Sequence, residues 1–245
     1  MSKFFAPPKY IKGDHAVISG DEAHHIVDVM RLKAEDHLQF FDGTGKIYAG
    51  RIVSVSPEKV VKIAITLIKT DTGQREVEIT LAQALPKKKK MEYIIGKCTE
   101  LGVDVIIPVA TARTVIRLEK ERAGRKNARW QKIAQEAAKQ CGRATITDIR
   151  PMSSWQKIIN AADHYDFKLL PCLSEKTKPL KEVLREQTGL KSIIVCIGPE
   201  GGFTPQEIDQ AQKYGFSAVS LGKNVLKSDT AAIAVLAMIN YELGL

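Results

Sequence analysis

Cysteine is scarce in this chain of 245 residues. There are four, at positions 98, 141, 172 and 196, scattered and without a CxxC pair. Their spacing argues against a disulfide framework or a zinc site and fits reduced, partly buried thiols. Long apolar runs are missing as well: nothing approaches the roughly 18 residues of a membrane helix, so no membrane partner is expected. The opening MSKFFAPPKYIKGDHAV has two early lysines but no apolar core region, so it does not read as a signal peptide, and a cytoplasmic protein is expected. Internal repeats are absent, and the one low-complexity stretch is four lysines at 87–90. No His, Cys, Asp or Glu spacing suits a metal, and none is expected.

Charge is unevenly placed. The formal net charge is +9. Residues 85–143 hold fifteen Lys/Arg and six Asp/Glu, which accounts for all of it, since the remainder holds 22 of each sign. A clustered basic surface is the footprint of a polyanionic partner, because neutralising phosphates releases counterions. A solvated basic surface would show the same count.

Residues 1 to about 70 read as a small β-rich unit. A short apolar run holds Val17 and Ile18, a short helix is predicted over 21–30, and strands over 38–41, 46–55 and 59–68. Asp42-Gly43 between two apolar runs is a hairpin signal. The polar stretch 69–75 reads as a linker, giving domains 1–72 and 73–245. From Glu76 onward short apolar strands (77–82, 105–109, 167–170, 192–197 and 218–221) alternate with helices that begin at Pro86, Arg117, Ser153, Lys178, Thr204 and Asp229. That alternation predicts an α/β fold with a parallel sheet and helices on both faces.

Two stretches carry the chemistry. The first is Ile197-Gly198-Pro199-Glu200-Gly201-Gly202-Phe203-Thr204-Pro205-Gln206-Glu207, which leaves a buried strand directly. Its glycines let backbone approach a ligand. Thr204 with Glu207 forms a capping box, and Pro205 suits a first helical position. The stretch is neither GxxxxGK[ST] nor GxGxxG, so phosphate-loop and dinucleotide readings fall away. The second is the run from Ser220 through Leu221, Gly222, Lys223, Asn224, Val225, Leu226, Lys227 and Ser228 to Asp229, again strand, glycine loop, helix. Ser228 and Asp229 are the expected N-caps. The helix that follows is apolar nearly all round and must be buried on several sides, in a core or against another subunit. Ligands of open α/β sheets bind at the C-terminal ends of strands, so two such loops predict one shared pocket.

The pairing of GPEGGFTPQE with LGKNVLKSDTA resembles the RsmE family, the 16S ribosomal RNA (uracil-N3)-methyltransferases of the SPOUT superfamily. The likeness runs through the chain: Lys3-Phe4-Phe5; Asp21 to His25 with Val29-Met30-Arg31; Lys97 to Val103 (KCTELGV); and Arg129-Trp130 through Arg143. It implies a PUA-like β-barrel at the N-terminus that helps bind RNA, and a C-terminal trefoil-knotted domain with the last helix threaded behind the two loops. It implies a homodimer joined through the knots and that helix. S-adenosyl-L-methionine would be held by Leu170, Gly198, Pro199, Glu200, Gly201, Leu221, Gly222, Asn224, Val225 and Leu226. The implied partner is 16S ribosomal RNA or an assembled small subunit. One departure is that Lys227 and Asp229 stand where the family's LRxETA has Arg and Glu, so the planar five-donor fork is lost at 227.

For RNA contact the resemblance and the basic cluster together single out Lys3, His24, Arg31, Lys87, Lys88, Lys90, Arg113 and Arg129. Uracil N3 carries a weakly acidic proton, and a cation near O2 and O4 would stabilise the anion left by its loss. Arg143 or Lys227 is expected in that role. Glu136 or Glu100 is available as a base, although an ordinary carboxylate matches so weak an acid poorly. Glu136 also has Lys132 and Lys139 at helical ion-pair spacing. Two other readings stay open: a SPOUT enzyme acting on another RNA, such as a tRNA ribose, and a non-catalytic RNA-binding dimer.

Overall fold

The computed structural model describes residues 3–70, 77–87, 90–114, 120–175 and 177–244, with backbone alone at 120–122. The linker expected at 69–75 and the helix start expected at Arg117 fall largely or wholly outside these residues, as does Lys88. The chain divides into two compact units, Met1–Gln74 with Ala138–Ile146, and Arg75–Ala137 with Thr147–Leu245. The single cut expected near residue 72 did not include the return of 138–146 to the first unit.

The first unit is a six-stranded sheet. Its strands are β1 (Phe4–Phe5), β2 (Ile11–Lys12), β3 (His15–Ile18), β4 (His37–Phe41), β5 (Lys46–Val55) and β6 (Val61–Thr70). Their order is β1-β4-β5-β6-β3-β2, with β1 parallel to β4 and the rest antiparallel. Helix α1 (Asp21–His24) runs into one π-helical stretch, His25–Val29. Alternation along the strands buries Phe4, Phe40, Ile52 and Ile63 on one core with Ile26. The Asp42 turn forms as its sequence suggested: Oδ1 accepts Thr44 N and Oγ1, both at 2.8 Å, and Oδ2 accepts the Tyr48 hydroxyl at 3.0 Å. The buried Tyr48 hydroxyl is pushed up to about 12 by burial and by Asp42. Within this unit Lys139 pairs with Glu22 at 2.5 Å, and Lys3 Nζ donates to Gly142 O at 2.8 Å. Gly142 has φ +81, the left-handed conformation that ends a helix readily at glycine.

The second unit is an all-parallel sheet with helices. Its elements in chain order are β7 (Glu78–Ala84), α2 (Lys90–Glu100), β8 (Val105–Ala110), α3 (Lys120–Cys141, its last turn counted with the first unit), β9 (Asp148–Ile149), β10 (Ser153–Ser154), α4 (Trp155–Asn160), β11 (Phe167–Pro171), β12 (Lys178–Pro179), α5 (Leu180–Arg185), β13 (Ser192–Ile197), α6 (Pro205–Lys213), β14 (Ser217–Ser220) and α7 (Ser228–Leu243). The order is β10-β8-β7-β13-β11-β14-β12, with β9 beside β8. Strand β13, buried at Ile193–Ile197, sits between β7 and β11, as expected of an apolar strand covered on both faces. Two predicted helix starts are displaced by short edge strands: Ser153–Ser154 pairs with β8, so Ser154 becomes the N-cap of α4, and Lys178–Pro179 pairs with β14 ahead of α5. Among the described residues no helix is long and apolar enough to cross a membrane.

Candidate functional site

Strands β13, β11 and β14 lie side by side and point the same way. Their C-terminal ends therefore deliver three segments to one place: the loop 198–204, Pro171 to Leu173, and the loop 221–227. Together they enclose a cavity of about 370 Å³. Both glycine stretches thus meet in the one pocket that the sequence predicted. After β14 the chain turns back past the end of β13, so that Ser228 at the start of α7 lies against Gly198 of the first loop and Gln83 of β7.

The first loop is fixed from outside itself. Glu200 accepts the Lys87 backbone N–H at 3.0 and 3.3 Å. Arg113 Nη1 donates to Gly201 O at 2.6 Å and to Phe203 O at 3.2 Å. Where the loop enters α6, the expected capping box of Thr204 and Glu207 is present, with Pro205 in the first turn. At the close approach within the turn, a Cβ on Gly198 would meet the Gly202 backbone at 3.2 Å, so a side chain there would push the turn open.

The cap expected on α7 is different. Lys227 is the N-cap and makes no side-chain cap bond. The Ser228 hydroxyl, 5% exposed, bonds to Gly198 and Gln83 instead. Asp229, in the first helical turn, pairs with Lys90 at 3.2 Å. Burial raises the Asp229 carboxyl, but the Lys90 hydrogen bond, a backbone hydrogen bond and the charges of Lys90 and Lys227 outweigh it and hold the group below the ordinary carboxylate value.

Nine of the residues expected to hold cofactor line the cavity: Gly198, Pro199, Glu200, Gly201, Leu221, Gly222, Asn224, Val225 and Leu226. Leu170 is fully buried in β11, and the next three residues, Pro171, Cys172 and Leu173, reach the wall in its place. Those three, with Phe203, Ile208 and Ser228, were not among the residues expected to hold cofactor, although the strand-end position of 171–173 signalled the first three. Burial pushes the Cys172 thiol up to about 11, so it is protonated at neutral pH. Of the four residues named for catalysis, Lys227 stands in the wall, exposed and without an ion pair among the described residues, and Glu100 pairs with Lys97 at 2.7 Å. Glu136 is exposed on α3. Arg143 belongs to the first unit and donates to Thr145 Oγ1 at 3.0 Å.

The residues assigned to RNA are distributed differently. Arg113 is a cavity-wall residue bonded to loop carbonyls. Lys90 pairs with Asp229, and Arg129 with Glu92 at 2.9 Å. Lys3 holds Gly142, and His24 pairs with Asp28. The side chains of Lys87 and Arg31 are exposed, Arg31 with φ +56.

Sequence and fold together match a known class. A family model described as an RNA methyltransferase domain matches residues 73–240, and one described as an RNA methyltransferase PUA domain matches 18–64. The class is that of the SPOUT RNA methyltransferases carrying a PUA domain. Ribosomal RNA small subunit methyltransferase E of Bacillus subtilis is 31% identical over 230 residues, 92% of this chain and 89% of that protein. Two solved structures superpose with a TM-score of 0.86 over 98% of this chain and 97% of theirs. They are a methyltransferase of Legionella pneumophila with bound S-adenosylmethionine, 29% identical, and the small subunit methyltransferase E of Neisseria gonorrhoeae bound to the same compound, 28% identical. The chain belongs to the ribosomal RNA small subunit methyltransferase E family.

Proposed function

We propose that the chain transfers a methyl group from S-adenosyl-L-methionine to N3 of a specific uridine in 16S ribosomal RNA, as a cytoplasmic homodimer. The observation that carries this reading is the cavity itself. Two glycine loops close on it from the ends of β13 and β14, on either side of β11, and Lys227 stands in its wall.

The wall suits an adenosyl ligand. Its volume falls in the ordinary range for small-molecule sites, about 300–1,000 Å³. It joins apolar side chains (Phe203, Leu221, Val225, Leu226) to close-folded glycine backbone and one carboxylate, Glu200, which complements a cationic ligand. The backbone of 198–202 and 221–226 would hold the cofactor. S-adenosylmethionine supplies an electrophilic methyl group when bound. The protein's own work is orientation and electrostatics. The Lys227 ammonium stabilises the negative charge left on uracil as N3 loses its proton, and Arg143 is the second cation proposed for that role, with Glu136 as the candidate base. The basic segment 85–143, in which the Lys87 side chain is exposed, supplies phosphate contacts, and Arg31 of the first unit is a further exposed cation. Dimerisation through α7 fits a helix that is apolar around its girth yet leaves Met238 39% and Tyr241 87% exposed.

Mass-spectrometric mapping of 16S RNA from a deletion strain, with and without the restored gene, tests the reaction. The expected result is one N3-methyluridine lost and regained. A methyl group mapped to a tRNA ribose would replace the reading with the other SPOUT activity. Calorimetry showing no affinity for S-adenosylmethionine would leave a non-catalytic RNA-binding dimer.

A further inference from the structure

Ser228 and Gln83 form a buried relay onto the first loop. Gln83, fully buried at the end of β7, donates from Nε2 to Ser228 Oγ at 3.0 Å and to Ala84 O at 2.9 Å. The Ser228 hydroxyl donates in turn to Gly198 O at 2.6 Å. Gln83 Oε1 has no partner among the described residues. An orphaned buried acceptor costs stability, so a side chain retained for packing alone would do better without it. What the amide provides is a fixed donor aimed at Ser228.

We infer that Gln83 and Ser228 are positioning residues that hold the loop 198–203 in its ligand-binding conformation. Residue 199 is proline, so the peptide between Gly198 and Pro199 has no N–H. Its plane is fixed by a hydrogen bond only through the Gly198 carbonyl. Ser228 takes that carbonyl. The other bonds to the loop act further along, Glu200 to Lys87 and Arg113 to Gly201 and Phe203. Ser228 also directly follows the second loop, so its hydroxyl fastens the two loops of the cavity to each other. A loop ordered before binding spares the ligand the entropy of ordering it. The relay acts on cofactor affinity, through Gly198, and not on the transferred group.

This inference rests on the proposed cofactor, and one titration separates the two. Full-length wild type, Ser228→Ala, Ser228→Thr and Gln83→Met are titrated calorimetrically with S-adenosylmethionine, and each is melted thermally. Ser228→Ala is expected to lose about 10- to 100-fold in affinity, as for a truncation that leaves buried partners unpaired. Ser228→Thr, which keeps the hydroxyl, stays within about threefold. Gln83→Met loses less than Ser228→Ala and adds little to it in the double variant, because both act through one bond. Lowered melting temperatures with unchanged affinity would mean that the relay only supports the fold, and would overturn the inference. Should Ser228→Ala not fold, Gln83→Met decides, and affinity within twofold of wild type overturns it. A wild type that binds no S-adenosylmethionine defeats the proposed function as well as the relay. A wild type that binds, beside an unimpaired Ser228→Ala, defeats the relay alone.

Discussion

Glu207 Oε1 accepts the Ala112 backbone N–H at 2.8 Å, across 95 residues of chain. The same carboxylate closes the α6 capping box through Oε2, which accepts Thr204 N at 2.8 Å and Thr204 Oγ1 at 3.1 Å. A side chain that looks local in sequence therefore fastens the end of the first loop to the segment after β8, next to Arg113.

Removing that carboxylate strands three donors at a residue that is 7% exposed. Hydrogen bonds to a charged group are each worth about 1.5–3 kcal/mol, and lost caps about 1 kcal/mol. Glu207→Ala is expected to destabilise the protein by about 2–4 kcal/mol in urea unfolding at pH 7. A loss below about 0.5 kcal/mol would show that the backbone donors find other partners.

The elements that local pattern encodes were legible. Strands β5 and β13 fall where alternation and an apolar run put them, Lys46–Val55 and Ser192–Ile197, and Thr204 caps α6 as its spacing to Glu207 requires. What depends on distant partners was not. Nothing in Ser192–Ile197 states that β13 inserts between β7 and β11, because pairing order is set by the whole sheet. Ser228 reads as a cap because its neighbours are helical, yet the nearby Gly198 carbonyl takes its hydroxyl. Arg113 reads as a free cation at a strand end, yet the fold brings two loop carbonyls to it. Segment 138–146 reads as the tail of a helix, yet Lys139 with Glu22 and Lys3 with Gly142 bind it into the first unit.

The Lys90–Asp229 pair makes a pH-dependent contribution whose sign follows from the depressed Asp229 carboxyl. The folded value lies below the unfolded one, about 3.9. The stabilisation is therefore complete above the unfolded value and is lost as pH falls through the folded one. With side chains 31% and 21% exposed, solvent screening limits it to about 0.5–1 kcal/mol. Asp229→Asn is expected to unfold at lower urea than wild type at pH 7, with the gap closing below about pH 4. A gap that stays constant from pH 7 to pH 3 would remove the ion pair from the account.

Lys227 stands in the cavity wall without an ion pair among the described residues, whereas Lys90 nearby is engaged by Asp229. A cation without an ion-pair partner in the wall of a ligand cavity is placed to stabilise charge that appears during reaction. Because that charge is absent from the bound ground state, its loss should fall on kcat and leave cofactor affinity nearly alone. Lys227→Ala is expected to slow single-turnover methylation by about 10²–10³-fold, the usual cost of removing one such group, with S-adenosylmethionine affinity changed less than about threefold. Lys227→Arg keeps the charge and should retain most of the rate. The deficit of Lys227→Ala should narrow as pH rises toward the value at which uracil N3 ionises unaided, because less stabilisation is then needed to expose the nucleophile. An unimpaired Lys227→Ala beside a slowed Arg143→Ala would transfer the role to Arg143. A deficit that does not vary with pH would show that Lys227 acts on something other than the uracil anion.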